Sequence, residues 1–285
     1  MIEQRRAIMT MGTGPGSGKT VVAAGLCRFL SNAGVQVAPF KAITVLPSGV
    51  RHSGSPRGNH PVAHLCRAAR VHFHWRVSPV VLEPDGDGRG RLHIAGRRAG
   101  TAALAGRDAV RIGDLDAAQH RATVEAIVEA HAWLADRYEA LVIEGAGSPL
   151  DVPPAEDMAN IGVARLCSPA IVLVGRSSRG GATAGLVGTA ACLPPDVHRL
   201  VLGFVLSDVT RPDLAIHAAD LVERVARTPY LGSIPSLGSP KPGPLSEQDF
   251  EWQYEALGQA IADGVRIPEL RRLAAAGTGT GGELR

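Results

Sequence analysis

Apolar residues fall along this chain in two rhythms, short unbroken runs and longer stretches of helical period, and their alternation predicts the elements. The run from about Ala7 to Met11 reads as a buried strand, and Thr20 to Asn32 as a helix closed by Gly34 in a C-terminal cap position. Val35 to Phe40 reads as a second strand, after which residues 44–61 turn polar and rich in glycine, proline and serine, predicting a loop. Val77 to Gly100 predicts two short strands around an Asp-Gly turn. A helix from about Asp116 to Asp136 leads into a buried strand at Ala140 to Ile143, and Leu200 to Leu206 forms the next strand. A helix beyond Asp213, a short strand from Tyr230 to Ile234, a Pro/Gly/Ser stretch from Pro235 to Pro244 and a helix from Glu247 to Asp263 follow. This order predicts an α/β fold, a mainly parallel sheet flanked by helices. It forms one domain over residues 1–235, with a helical C-terminal extension over 236–275 and a disordered tail over 276–285.

Composition narrows the function classes. A chain of 285 residues, 45% hydrophobic, can bury a large core. Its 30 basic and 27 acidic residues leave a net charge of only +3 with the arginines dispersed, which argues against a nucleic-acid or membrane surface. Cys27, Cys66, Cys167 and Cys192 lack C-x2-C spacing and sit in apolar or helical surroundings, as reduced packing residues of a cytoplasmic protein do. The N-terminal sequence lacks the apolar region of a signal peptide, and no run reaches the length of a membrane span.

The chemistry begins between the first strand and the first helix, at GTGPGSGKT, residues 12–20. Gly12, Gly14, Gly16 and Gly18 let backbone N–H groups approach an anionic phosphate, and the helix starting near Lys19 adds its positive dipole end. Lys19 is placed to reach the β- and γ-phosphates of a nucleotide, and the Thr20 hydroxyl to hold Mg²⁺. The stretch is therefore a P-loop, and Gly12, Thr13, Gly14, Gly16, Ser17, Gly18, Lys19 and Thr20 are the expected nucleotide contacts. A second signature, LVIEGAGSP from Leu141, puts Glu144 at the tip of a strand, where a carboxylate holds Mg²⁺ directly or through water. Gly145 and the glycine beyond it permit close approach of a ligand.

The spacing is GT-x4-GKT, with Thr13 where the strict motif has glycine. That loop resembles those of dethiobiotin synthetase and of the ATP-binding domains of cobyric acid synthase and cobyrinic acid a,c-diamide synthase. PFKA at Pro39 to Ala42, the EGAGSP string, and Asn160, Gly162, Ala164, Arg165, Arg179, Gly180 and Gly181 are similar to cobyric acid synthase, as are Pro79, Pro84 and Gly86 to Arg89. The resemblance implies a catalytic set of Lys19, Lys41 and Glu144, with Lys41 close to the triphosphate; metal contacts at Thr20 and Glu144; ATP and Mg²⁺ as cofactors; and a homodimer. It implies an ATP-dependent carbon-nitrogen ligase that activates a small-molecule carboxylate as an acyl phosphate for attack by ammonia or an amine. It ends near residue 235, before the glutamine amidotransferase domain of full-length members, so a separate glutaminase is an expected ammonia source.

Departures from the family pattern keep other readings open. Arg57 stands in place of a glutamate, Glu83 of a lysine, Ser78 of an asparagine, Arg176 to Ser178 of an acidic stretch, and Ser207-Asp208 of an asparagine-lysine pair that contacts the base. One alternative is a dethiobiotin-synthetase-like reaction, in which a carbamate made from an amine substrate and CO₂ is phosphorylated and closes a ring. Another is a regulatory or scaffolding ATPase without ligase chemistry. His60 and His64, four apart, with Cys66, His72 and His74 nearby, add a loosely spaced candidate for a transition metal.

Overall fold

A computed structural model describes residues 7–47, 49–52, 60–85, 88–103, 115–238, 246–268, 270 and 272. Its strands are β1 (Ala7–Gly12), β2 (Val37–Phe40), β3 (Ile43–Val45), β4 (Val80–Pro84), β5 (Arg89–Ile94), β6 (Arg97–Ala103), β7 (Ala140–Glu144), β8 (Ala170–Arg176), β9 (Val201–Val209) and β10 (Tyr230–Pro235). The helices are α1 (Lys19–Asn32), α2 (Pro61–Ala69), α3 (Ala117–Arg137), α4 (Val163–Cys167), α5 (Ala182–Cys192), α6 (Pro195–His198), α7 (Pro212–Ala226) and α8 (Glu247–Gly264).

Six strands form one sheet in the order β10-β9-β8-β1-β7-β2, parallel at every pairing. A parallel sheet must be covered on both faces, and β1 is accordingly buried along its whole length. Its alternate residues serve two layers. Ile8 joins Val22, Leu26 and Ile261 under α1 and α8, while Met9 and Met11 join Phe40, Ile143 and Leu173 on the opposite face. Leu82 and Leu92 of the smaller sheet pack into that second layer, so both sheets share a hydrophobic core. α3 begins where Asp116 accepts from the backbone N–H groups of Ala118 (2.9 Å) and Gln119 (2.8 Å), and the Gln119 side chain reaches back to the Asp116 N–H.

The smaller sheet is what the hydrophobic pattern under-reads. Its order is β3-β4-β5-β6, with β3 parallel to β4 and the other pairs antiparallel. Ile43 to Val45, read as the edge of a loop, is buried and pairs with β4, its Thr44 hydroxyl 2.8 Å from that of Ser78. Three residues are too few to show a period. Arg97 to Ala103 adds a strand to the expected pair, and it is mostly exposed, so no apolar alternation marks it. Ser207 and Asp208 lie within β9 and do not follow it. Arg57, Gly86, Asp87, most of the Pro/Gly/Ser stretch and the C-terminal tail lie outside the described residues.

Candidate functional site: the phosphate loop and the ends of β2 and β7

In a parallel α/β sheet the ligand crevice lies beyond the carboxyl ends of the strands, and β1, β7 and the edge strand β2 deliver their chemistry there. β1 ends at Gly12, the loop runs to Gly18, and α1 starts at Lys19. Gly18 is the helix N-cap in the left-handed region (φ 96°), and a Cβ there would lie 2.1 Å from the Ser207 hydroxyl oxygen. A Cβ on Gly12 would lie 2.1 Å from Ser17 Oγ and 2.8 Å from Lys19 Nζ. The bare backbone at these positions lets Lys19 fold back over the loop, where its ammonium donates to the carbonyls of Gly14 (3.0 Å) and Gly147 (2.7 Å). Thr13 anchors the loop instead of opening it: its N–H donates to the Val174 carbonyl at 3.2 Å and its side chain packs against Gly185 of α5.

β2 pairs with β7 and β7 with β1, so Lys41, just past β2, and Glu144, the last residue of β7, meet beside α1. Lys41 Nζ and the Thr20 hydroxyl both donate to Glu144 Oε1 at 2.7 Å. The two charged side chains are nearly sequestered, 8% exposed for Lys41 and 2% for Glu144. A buried ion pair repays its desolvation only when its remaining polar atoms are satisfied, yet Glu144 Oε2 is buried with no hydrogen-bond partner among the described residues. An unfilled carboxylate oxygen beside a Thr hydroxyl is a hard oxygen donor set, and it fits Mg²⁺. A cavity of about 310 Å³ opens over this arrangement, lined by Gly16, Lys19, Thr20, Lys41, Glu144 and Arg176 among others.

Of the residues expected here, Gly16, Ser17, Gly18, Lys19, Thr20, Lys41 and Glu144 line the cavity together. Gly12, Thr13, Gly14 and Gly145 lie outside its lining. Gly145 instead makes room for Asn160, whose amide oxygen would be 2.1 Å from a Cβ there. Asn160 donates to the Ala146 carbonyl at 2.7 Å and to Asp157 at 2.9 Å, bracing the turn that presents the Gly147 carbonyl to Lys19. Burial pushes the Asp157 carboxyl up, against the hydrogen bonds from Asn160 and Ile161. Neither Asp157 nor Asn160 belongs to the expected site. Their signal was a DxxN spacing at the start of a helical turn, in which Asp157 caps the backbone N–H of Asn160.

Among the substituted positions, Arg176, Ser178, Asp208 and Glu83 are partnered. Arg176, which reverses the family's charge, pairs with Asp208 at 2.7 Å, and Ser178 also donates to that carboxylate. Hydrogen bonds from Ser178, Ser236 and Arg176 hold Asp208 down at about 2. Glu83 is buried between Arg51 and Arg91; burial alone would raise its carboxyl, but the hydrogen bond from Arg51 and the neighbouring cations outweigh it. His60 caps α2 by accepting from the Val62 N–H, and burial, with His52, Lys41 and His64 nearby, lowers it to about 4. His64 is committed to the Tyr254 hydroxyl at 2.8 Å, and no group of three His, Cys, Asp or Glu among the described residues could hold a metal ion. Cys27 and Cys66 are free and buried, and burial pushes the Cys66 thiol up to about 12.

A family model described as an AAA domain matches residues 109–242. Cobyric acid synthase from Nocardia farcinica is 35% identical over 237 residues, covering 80% of this chain and 43% of that protein. The Aliivibrio fischeri enzyme of the same name is 36% identical, covering 81% and 45%, and that of Vibrio vulnificus 30%, covering 94% and 54%. The chain is a homologue of the cobyric acid synthases. As such a homologue it spans about half the length of the curated relatives it matches. Among solved structures, FtsY from Thermotoga maritima has a TM-score of 0.45 at 15% identity, covering 90% of this chain and 70% of that one, a likeness too slight to argue from. Among the described residues, no helix of this cobyric acid synthase homologue is long and apolar enough to cross a membrane.

Proposed function

We propose that the protein is an ATP- and Mg²⁺-dependent carbon-nitrogen ligase that activates a small-molecule carboxylate for amide formation. The observation that carries this reading is the convergence of Lys19, Lys41 and Thr20 on one crevice with a Glu144 oxygen left unpartnered. A substrate carboxylate oxygen attacks the γ-phosphorus of ATP, ADP leaves, and ammonia or an amine then displaces phosphate from the acyl phosphate. Lys19 exchanges its carbonyl contacts for phosphate oxygens, and Lys41, just past β2, neutralises charge on the transferring group, an electrostatic role suited to a site with little covalent chemistry to perform. Thr20 and Glu144 are the residues that would hold Mg²⁺, which when bound offsets phosphate charge. The names of the relatives suggest a corrin-type acid, but the changed residues around the crevice leave the acceptor to be found among carboxylic acids more broadly.

Hydroxylamine provides the test. Incubation with Mg-ATP, candidate acids and hydroxylamine should yield a hydroxamate without bicarbonate. Strict dependence on bicarbonate would point to ring-closing carboxylation, and absence of acceptor-stimulated hydrolysis over a broad panel would leave a regulatory ATPase.

A further inference from the structure

Away from the phosphate loop, β5 and β6 are joined by a two-residue hairpin turn at Ala95 and Gly96, both in the left-handed region (φ 50° and 76°). The turn packs on Trp75, whose Cβ would lie 3.7 Å from a Cβ on Gly96. The rings behind it are braced. The Arg76 guanidinium lies over both Trp75 (4.3 Å) and Trp133 (5.0 Å), and His74 stacks on Trp133 with ring centroids 4.9 Å apart and planes 10° apart. The His52 and His93 rings meet at 4.6 Å.

His52, Phe73, His74, Trp75 and His93 line a cavity of about 690 Å³, and the exposed Arg97 and Arg98 complete its wall from the start of β6. It is separate from the crevice over the phosphate loop, with which it shares no lining residue. Its charge is one-sided. Glu83 lies 3.6 Å from His93 Nε2, but that carboxylate is already held by Arg51 (2.5 Å) and Arg91 (2.7 Å). The Arg97 and Arg98 side chains make no hydrogen bond or ion pair among the described residues, so two guanidinium charges are left uncompensated. Burial lowers both His52 and His93, more than Glu83 raises them, so the positive charge here comes from the arginines. His52 Nδ1 and His93 Nε2 are buried with no hydrogen-bond partner among the described residues.

We propose that this cavity is a second ligand site, one that takes an aromatic carboxylate of one or two fused rings. The volume falls in the range of about 300–1,000 Å³ usual for small-molecule sites. Walls of flat conjugated rings favour a flat conjugated body, which gains stacked or edge-to-face contacts that a saturated one does not. The planar guanidinium fork matches a carboxylate in paired, charge-assisted hydrogen bonds. The site stands apart from the ligase reading, because no residue assigned to nucleotide or metal lines it.

Calorimetric titration of the whole protein with 2-naphthoate, 2-naphthalenemethanol and cyclohexanecarboxylate separates ring from charge. Naphthoate should bind about tenfold or more tighter than the alcohol, the size of one charge-assisted hydrogen bond, and about tenfold tighter than the saturated acid. The double variant Arg97→Gln/Arg98→Gln should weaken naphthoate by about tenfold while leaving the alcohol within about twofold, since the two contacts are separate. Both arginines are exposed, so its melting temperature should match that of the wild type. Trp75→Leu, which keeps an apolar side chain beneath the turn, should weaken both naphthyl probes together. Equal affinity for the three probes, no binding of naphthoate, or naphthoate affinity unchanged in the double variant would overturn the assignment. So would loss of naphthoate binding in Lys19→Ala, which would put the acid in the crevice over the phosphate loop.

Discussion

Lys19 and Glu144 separate two roles that one crevice combines. Lys19 donates to the carbonyls of Gly14 and Gly147, whose place phosphate oxygens would take, so Lys19→Ala should leave the fold intact and remove ATP turnover. Thermal melting checks it: Mg-ATP at a hundred times its Kd should stabilise the wild type by about 2.7 kcal/mol, and the variant far less. Glu144 is different, because it holds Lys41 and Thr20 at the same oxygen. Glu144→Gln keeps an acceptor but loses the charge, so it should raise the Mg²⁺ concentration needed for hydrolysis far more than it weakens nucleotide binding. A Mg²⁺ titration of turnover in both forms decides between metal contact and a purely structural carboxylate. Gly12 and Gly145 were legible as glycines of a ligand loop, but the atoms they make way for, Ser17 and Asn160, come from folding back of the chain.

Among the elements, α8 shows how a helix distant in sequence joins the centre. Its first turn is fixed locally by Ser246, whose hydroxyl accepts from the Asp249 N–H at 3.2 Å in a capping box. Its position is fixed by Arg28, whose buried guanidinium donates to Glu251 and Glu255 of α8 and to the carbonyls of Ala68 and Arg67, and which no periodicity distinguishes from a solvated arginine. Arg28→Ala leaves a void and breaks hydrogen bonds to two carboxylates and two carbonyls; because Glu251 and Glu255 are half exposed and rehydrate, the loss should be about 2–4 kcal/mol. Urea unfolding measures it, with Arg28→Met expected to recover part of the loss by restoring the aliphatic volume. The smaller sheet makes the same point: β3 and β6 are strands because β4 and β5 offer them backbone partners, which a local pattern does not record.

For the whole molecule, pH reports on the buried histidines. His60 falls to about 4, and burial also lowers His52, His64, His74, His93 and His131, partly offset at His52, His64 and His93 by nearby carboxylates. Between about 6.5 and 4 the unfolded chain binds protons that the folded His60 does not, so its contribution is complete above about 6.5 and is lost as pH falls toward 4. The melting temperature should drop through that window, and His60→Asn, which retains a capping acceptor, should flatten the drop. A melting temperature independent of pH between 7 and 4.5 would contradict the assignment.

Five of the six strands of the large sheet, the helices α1, α3, α7 and α8, the phosphate loop with Lys19 and Thr20, and the carboxylate at the tip of β7 were legible in the chain itself, because each depends on residues within a few positions of one another. Folding had to bring Lys41 and Glu144 into contact, set Arg176 against Asp208, and let Arg28 clamp α8 onto α1. Those pairs are 103, 32 and 227 residues apart. Strand order and helix packing, which carry no local period, bring them together, so burial and partnership at these positions follow from the folded arrangement and not from any stretch of chain.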